Sequence, residues 1–111
     1  MEPNTEPNME RLIPKVVLDA FEHWANRHVY VHLETNPVSY WRNGRILLTT
    51  AHVKGQGPYR LFLEFDHKAG LIQVGELTHM KLQQGRIALV GYDKQQRIAQ
   101  TIEVSETPLV S

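Results

Sequence analysis

The stretch IPKVVLDAFEHWANRHVYVHLET, from Ile13 to Thr35, changes its hydrophobic period once, and that change decides the fold. In its first half Ile13, Val16, Val17, Ala20, Phe21 and Trp24 recur at spacings of three and four, which is the stripe of an amphipathic helix. Lys15, Asp19, Glu22, His23 and Asn26 fall on the opposite side. Pro14 suits a first helical position, where its missing N–H has no intrahelical partner, and Arg27 with His28 sets positive charge at the negative end of the helix dipole. The spacing therefore predicts a helix from about Pro14 to Arg27, with Ile13, Val17, Phe21 and Trp24 buried against a sheet. From Val29 the period becomes two. Val29, Val31 and Leu33 share one face of a strand, Tyr30, His32 and Glu34 line the other, and Pro37 ends or interrupts it.

Downstream, strands are readable at Arg45 to Lys54, Tyr59 to Phe65, Leu71 to Leu77, Arg86 to Tyr92 and Arg97 to Val104. The links between them, such as Gly55-Gln56-Gly57-Pro58 and His67-Lys68-Ala69-Gly70, are too short for parallel crossovers, so successive strands are expected to pair antiparallel as a meander. Asn43-Gly44 has the composition of a type I′ hairpin turn between Tyr40-Trp41-Arg42 and Arg45-Ile46-Leu47. The expected fold class is α+β: an N-terminal helix packed on a mainly antiparallel β-sheet or a small, partly open β-barrel.

Upstream, Glu2-Pro3-Asn4 nearly repeats as Glu6-Pro7-Asn8 with nothing apolar to bury after Met1, which reads as a disordered tail over residues 1–8 ahead of one globular domain, 9–111. A chain of 111 residues is the usual size of a single domain. Twelve basic residues balance twelve acidic ones, so no net field draws the protein to nucleic acid or anionic lipid, and no apolar run approaches the length of a membrane span. The lack of cysteine removes disulfides and thiolate zinc sites, and Met1-Glu2-Pro3-Asn4 has none of the regions of a signal peptide, so the expected address is cytoplasmic.

Three groups of residues are candidates for chemistry. Tyr30, His32 and Glu34 project a phenol, an imidazole and a carboxylate from one strand face at ~7 Å spacing, close enough for His32 and Glu34 to share a ligand; the plainer reading is a solvated outer face. Gly55-Gln56-Gly57-Pro58-Tyr59-Arg60 combines two glycines that permit a tight exposed backbone with a guanidinium that can grip a carboxylate or phosphate, although a plain hairpin link has the same composition. Arg60 pairing with Glu64 along the strand is the alternative use of that side chain. Tyr40-Trp41-Arg42 sets aromatics beside a cation, with core packing of Trp41 as the plainer reading. No serine sits in a nucleophile-elbow pattern, and no cofactor or metal motif is present. The balance leans away from an enzyme.

The segments Arg27-His28-Val29-Tyr30-Val31-His32-Leu33-Glu34-Thr35, Tyr40-Trp41-Arg42-Asn43 and Ala51-His52-Val53-Lys54-Gly55-Gln56-Gly57-Pro58-Tyr59-Arg60, continuing to Gly75-Glu76-Leu77-Thr78, resemble the YojF family of small proteins from Bacillus and related Firmicutes. The resemblance covers most of the chain after the tail. It implies one continuous strand from about Tyr40 to Lys54 in place of the Asn43-Gly44 turn, and the chain looks shorter than the family pattern by about one hairpin between Thr35 and Tyr40. It also implies a setting, because members often accompany an LmbE-like zinc deacetylase of the type used to make bacillithiol. On that basis the chain is expected to be a non-catalytic accessory or binding domain contacting the deacetylase or a small anionic or sugar-linked metabolite. Arg42 and Arg60 would meet negative charge, and Tyr30 and His32 would supply hydrogen bonds. The competing expectation is a small enzyme or metal-binding protein built on His32 and Glu34, assisted by His52. A homo-oligomer is expected from unprotected sheet edges, with Arg97 to Val104 as the edge strand and Ile98 and Ile102 facing the neighbour.

Overall fold

A computed structural model describes residues 9–36 and 39–108. The expectations of a disordered tail over 1–8 and of a strand stop at Pro37 fall outside the described residues. The elements run β1 (Glu10–Arg11), α1 (Pro14–Glu22), β2 (His28–Thr35), β3 (Ser39–Gly55), β4 (Tyr59–Phe65), β5 (Gly70–Leu77), β6 (His79–Gln83), β7 (Arg86–Tyr92) and β8 (Ile98–Ser105). All strands join one antiparallel sheet of order β1-β6-β7-β8-β2-β3-β4-β5.

The helix begins at Pro14, as its sequence requires, but stops at Glu22 and not at Arg27. Asn26 adopts a left-handed backbone, φ 64°, which an asparagine tolerates and a helix does not, and its N–H bonds to Leu48 O at 2.7 Å. The return bond, Leu48 N–H to Arg27 O at 3.0 Å, ties this turn to β3. Val17, Phe21 and Trp24 are buried as expected, but Ile13 is 49% exposed. Leu12 takes its place in the core, because Leu12 N–H bonds to Thr78 O and fixes the chain one residue earlier. Trp24 lies beyond the helix, edge-on to Phe21, and its indole N–H donates to Glu106 Oε2 at 2.8 Å just past β8.

Strand β3 runs unbroken for 17 residues, so Asn43-Gly44 is not a hairpin turn. Its positive φ at Asn43 belongs to a bulge: Val31 pairs with Gly44 and Leu33 with Trp41, leaving an extra residue on β3 opposite His32. Trp41 lies across Gly44, where any Cβ would overlap the indole, and remains 39% exposed outside the core. The first part of β3 pairs with β2 and the last part with β4. The sheet thereby bends over a core of Val29, Val31, Ile46, Leu48, Leu61, Leu63, Ile87, Leu89, Ile102 and Val104, roofed by α1.

The strands do not form a single meander. β5 and β6 are consecutive but unpaired, lying toward opposite ends of the sheet with only Thr78 between them. The sheet curls until β5 meets β7 and β8 through isolated contacts: Thr78 N–H to Val90 O at 2.9 Å, and the Gln100 side-chain amide to Gly75 O. These contacts make no ladder, so the barrel is not closed. β8 is also not an edge: it pairs with β7 on one side and β2 on the other, and Ile102 is buried. Among the described residues the edges are β1 and β5, which removes Ile98 and Ile102 as the expected edge contact. No helix among the described residues is long and apolar enough to cross a membrane.

Candidate functional site

Because paired residues in an antiparallel ladder point to the same side, the register tells which groups share the outer face. Tyr30 lies between Arg45 and Ser105, His32 beside Glu103, and Glu34 between Tyr40 and Thr101. The His32 side chain is 15% exposed, against 41% for Glu34. Its ring stands edge-on to Tyr40 with centroids 5.0 Å apart, and its Nε2 is 3.7 Å from Glu34 Oε1. Its Nδ1 is buried and finds no hydrogen-bond partner among the described residues. No third His, Cys, Asp or Glu joins His32 and Glu34 in a metal-binding group among those residues.

The row continues into a groove of about 300 Å³ over β6, β7 and β8. Arg86 and Glu103 form an ion pair across it at 3.1 Å. Gln83, Lys81, Thr101 and Tyr92 add amide, ammonium and hydroxyl groups, and Ala88, Val90 and Ile98 give an apolar base. The Tyr92 hydroxyl is itself buried without a partner among the described residues. Neither Arg86, Thr101 nor Glu103 stands out in the sequence. The alternation of Thr101 and Glu103 with Ile102 and Val104 marks them as outward-facing, but their approach to His32 comes from pairing β8 with β2, some seventy residues away in the chain.

At the end of the groove Tyr92 meets His79 edge-on, centroids 5.0 Å apart, and His79 Nδ1 lies 2.8 Å from the Thr78 hydroxyl. Burial, and then the guanidinium of Arg11 on the paired strand, hold the His79 pKa below its ordinary 6.5. Unfolded His79 thus takes up its proton at a higher pH than folded His79. The stability contributed by the neutral ring is present above 6.5 and is lost as pH falls from there through the folded value. An NMR titration of the His79 ring is expected to give a midpoint below 6.5, with a flatter acid limb of stability in His79→Gln; a midpoint at or above 6.5 would contradict this environment.

The remaining candidates lie elsewhere. Arg42 is exposed on β3 within the bulge itself, where it and Asn43 lie opposite His32. Gly55 and Gly57, with φ 103° and 102°, shape the β3–β4 hairpin, and Tyr59 packs partly against the core. Arg60 is exposed with its guanidinium 5.8 Å from the Phe62 ring centroid. It does not pair with Glu64, whose carboxylate instead meets His52 Nε2 at 3.2 Å. His52 and Arg60 sit on the β4-paired part of β3 and on β4 itself, about ten residues along β3 from the level of His32. His52 therefore does not assist His32, and Arg42 and Arg60 do not converge on one ligand.

Fold and face together define a small protein of one bent antiparallel sheet, roofed by a short helix, with a polar outer groove. The sequence model of the family described as "Protein of unknown function (DUF1806)" matches residues 11–109. The "Uncharacterized protein YojF" of Bacillus subtilis (strain 168) is 30% identical over 115 aligned positions, spanning 90% of this chain and 97% of that protein. The crystal structure of the Bacillus subtilis YojF protein matches with a TM-score of 0.84 at 31% identity, over 93% of this chain and 98% of that one. The chain belongs to this YojF family of proteins of unknown function.

Proposed function

We propose that this protein is a non-catalytic accessory or binding domain of bacillithiol metabolism, and that the groove beside His32 holds its ligand, a small sugar-linked metabolite bearing negative charge. An LmbE-like zinc deacetylase acting on such a compound is the proposed protein partner, met in the cytoplasm. The observation that carries this reading is the make-up of the groove: an apolar base, two hydroxyls, an amide and a paired Arg86 and Glu103, all on rigid strands. Hydroxyl-rich ligands call for that mixture, with a few placed polar groups fixing orientation over an apolar floor. Lys81 and Arg86 supply the donors for a carboxylate.

Titration calorimetry of the full chain with bacillithiol and with its deacetylated precursor tests the reading, in parallel with the purified deacetylase. Thr101→Val, which keeps the shape of the side chain and removes one hydroxyl, is expected to weaken metabolite binding about tenfold. Heat-silent titrations with both compounds and with the deacetylase would dismiss the proposal.

A further inference from the structure

We propose that the outer face of β3, β4 and β5, away from the groove, is the interface of a homodimer. β4 turns Leu61 and Leu63 into the core and Arg60, Phe62 and Glu64 outward. The register sets Lys54 beside Arg60, His52 and Gln73 on either side of Phe62, and Thr50 and Leu71 on either side of Glu64. The face therefore has three levels: two cations at one end, an aromatic ring in the middle, and a carboxylate with an apolar neighbour at the other. Leu71 is 59% exposed, the most open of the large aliphatic side chains described. Arg60 and Lys54 have no carboxylate within ion-pair distance among the described residues.

This polarity is self-complementary for one arrangement. A two-fold axis lying in the interface, perpendicular to the strands and level with Phe62, sets Arg60 over Glu64 of the partner subunit, and does so twice. The two Phe62 rings then meet at the centre, and Leu71 is covered. An axis parallel to the strands would set Arg60 against Arg60, so the charge pattern also selects the orientation. An acidic peptide would satisfy Lys54 and Arg60 but would bring like charge against Glu64, which makes a second copy the better-matched occupant. Three strands by three levels is a patch of roughly 300 Å² at ordinary sheet spacings, well under the ~800 Å² per partner of a standard interface. The dimer is accordingly a micromolar, salt-sensitive one.

Sedimentation velocity of the full chain at high micromolar concentration and low salt tests the interface. The wild type is expected to dimerise, with Arg60→Glu and Glu64→Arg each weakening association at least about tenfold and the double swap restoring it. Arg60 is exposed and Glu64 lies on the outer face outside the core, so folding is retained; Lys54→Glu offers an independent weakening that leaves the contact between His52 and Glu64 in place. A monomeric wild type would overturn the proposal and leave the face to another partner. A dimer unmoved by the single swaps, or one that the double swap does not restore, would overturn the pairing. None of these outcomes bears on the groove.

Discussion

Trp24→Ala is expected to lower stability by about 3–5 kcal/mol, the range for truncating a large buried aromatic. Trp24 is 5% exposed, packs edge-on against Phe21, and gives its indole N–H to Glu106. The substitution removes the ring, strips Phe21 of its neighbour and leaves the Glu106 carboxylate without its donor. Folded domains of this size are stable by ~5–15 kcal/mol, so the loss is a large share of the whole. The melting temperature should fall by roughly 15 °C or more. Trp24→Phe should recover much of the deficit, since it restores a ring against Phe21 while forgoing the hydrogen bond and part of the indole's volume. A urea midpoint for Trp24→Ala within error of the wild type would show that the turn after the helix does not dock by this side chain.

Gly91→Ala should be comparably severe for a different reason. Gly91 is buried on β7, and a Cβ there would lie far inside contact distance of the Glu76 carbonyl oxygen and close to its carbonyl carbon. The obstacle is main chain, at the β5 bulge where Glu76 has φ 57°, and cannot turn aside as a flexible side chain would. Relief requires β5 to retreat from β7, which also pulls Gly75 from the Gln100 amide and strains the bond from Thr78 N–H to Val90 O. Overpacking of this kind costs about 3 kcal/mol or more when the neighbour is rigid. Gly44→Ala is the informative control, because there the Cβ meets the half-exposed Trp41 ring, which can swing outward. Chemical denaturation ranks the two; equal midpoints for Gly91→Ala and the wild type would mean that the sheet does not curl back on itself.

What the sequence shows most plainly is local. The switch of period between Trp24 and Val29 places a helix before a strand, and the turns at Gly55-Gln56-Gly57-Pro58 and His67-Lys68-Ala69-Gly70 bound β4 closely. The two-residue β1 and the five-residue β6 escape because neither carries enough alternation to rise above a loop: of β6 only Met80 is buried. The end of α1 is misjudged by periodicity because Trp24 continues the helical spacing while being held by turn bonds to Phe21 and Arg27. Asn43-Gly44 shows why composition is ambiguous: positive φ serves a bulge in a long strand as readily as a hairpin turn. The candidate site divides in the same way. Tyr30, His32 and Glu34 share a face because alternation requires it, whereas the approach of Glu103, Thr101 and Arg86 is a product of long-range pairing that no local pattern encodes.

The 17-residue β3 has a consequence for how the molecule comes apart. One continuous backbone serves as the last strand of the helix-proximal ladder and the first strand of the hairpin ladder, so neither half of the sheet owns a boundary along which it could detach. Stripping away β4 and β5 would bare the apolar undersides of Leu61, Leu63 and the facing β3 residues, and peeling off β2 would do the same on the other flank. Partial opening is penalised on both sides of the same spine, which favours melting as one cooperative unit over separate halves.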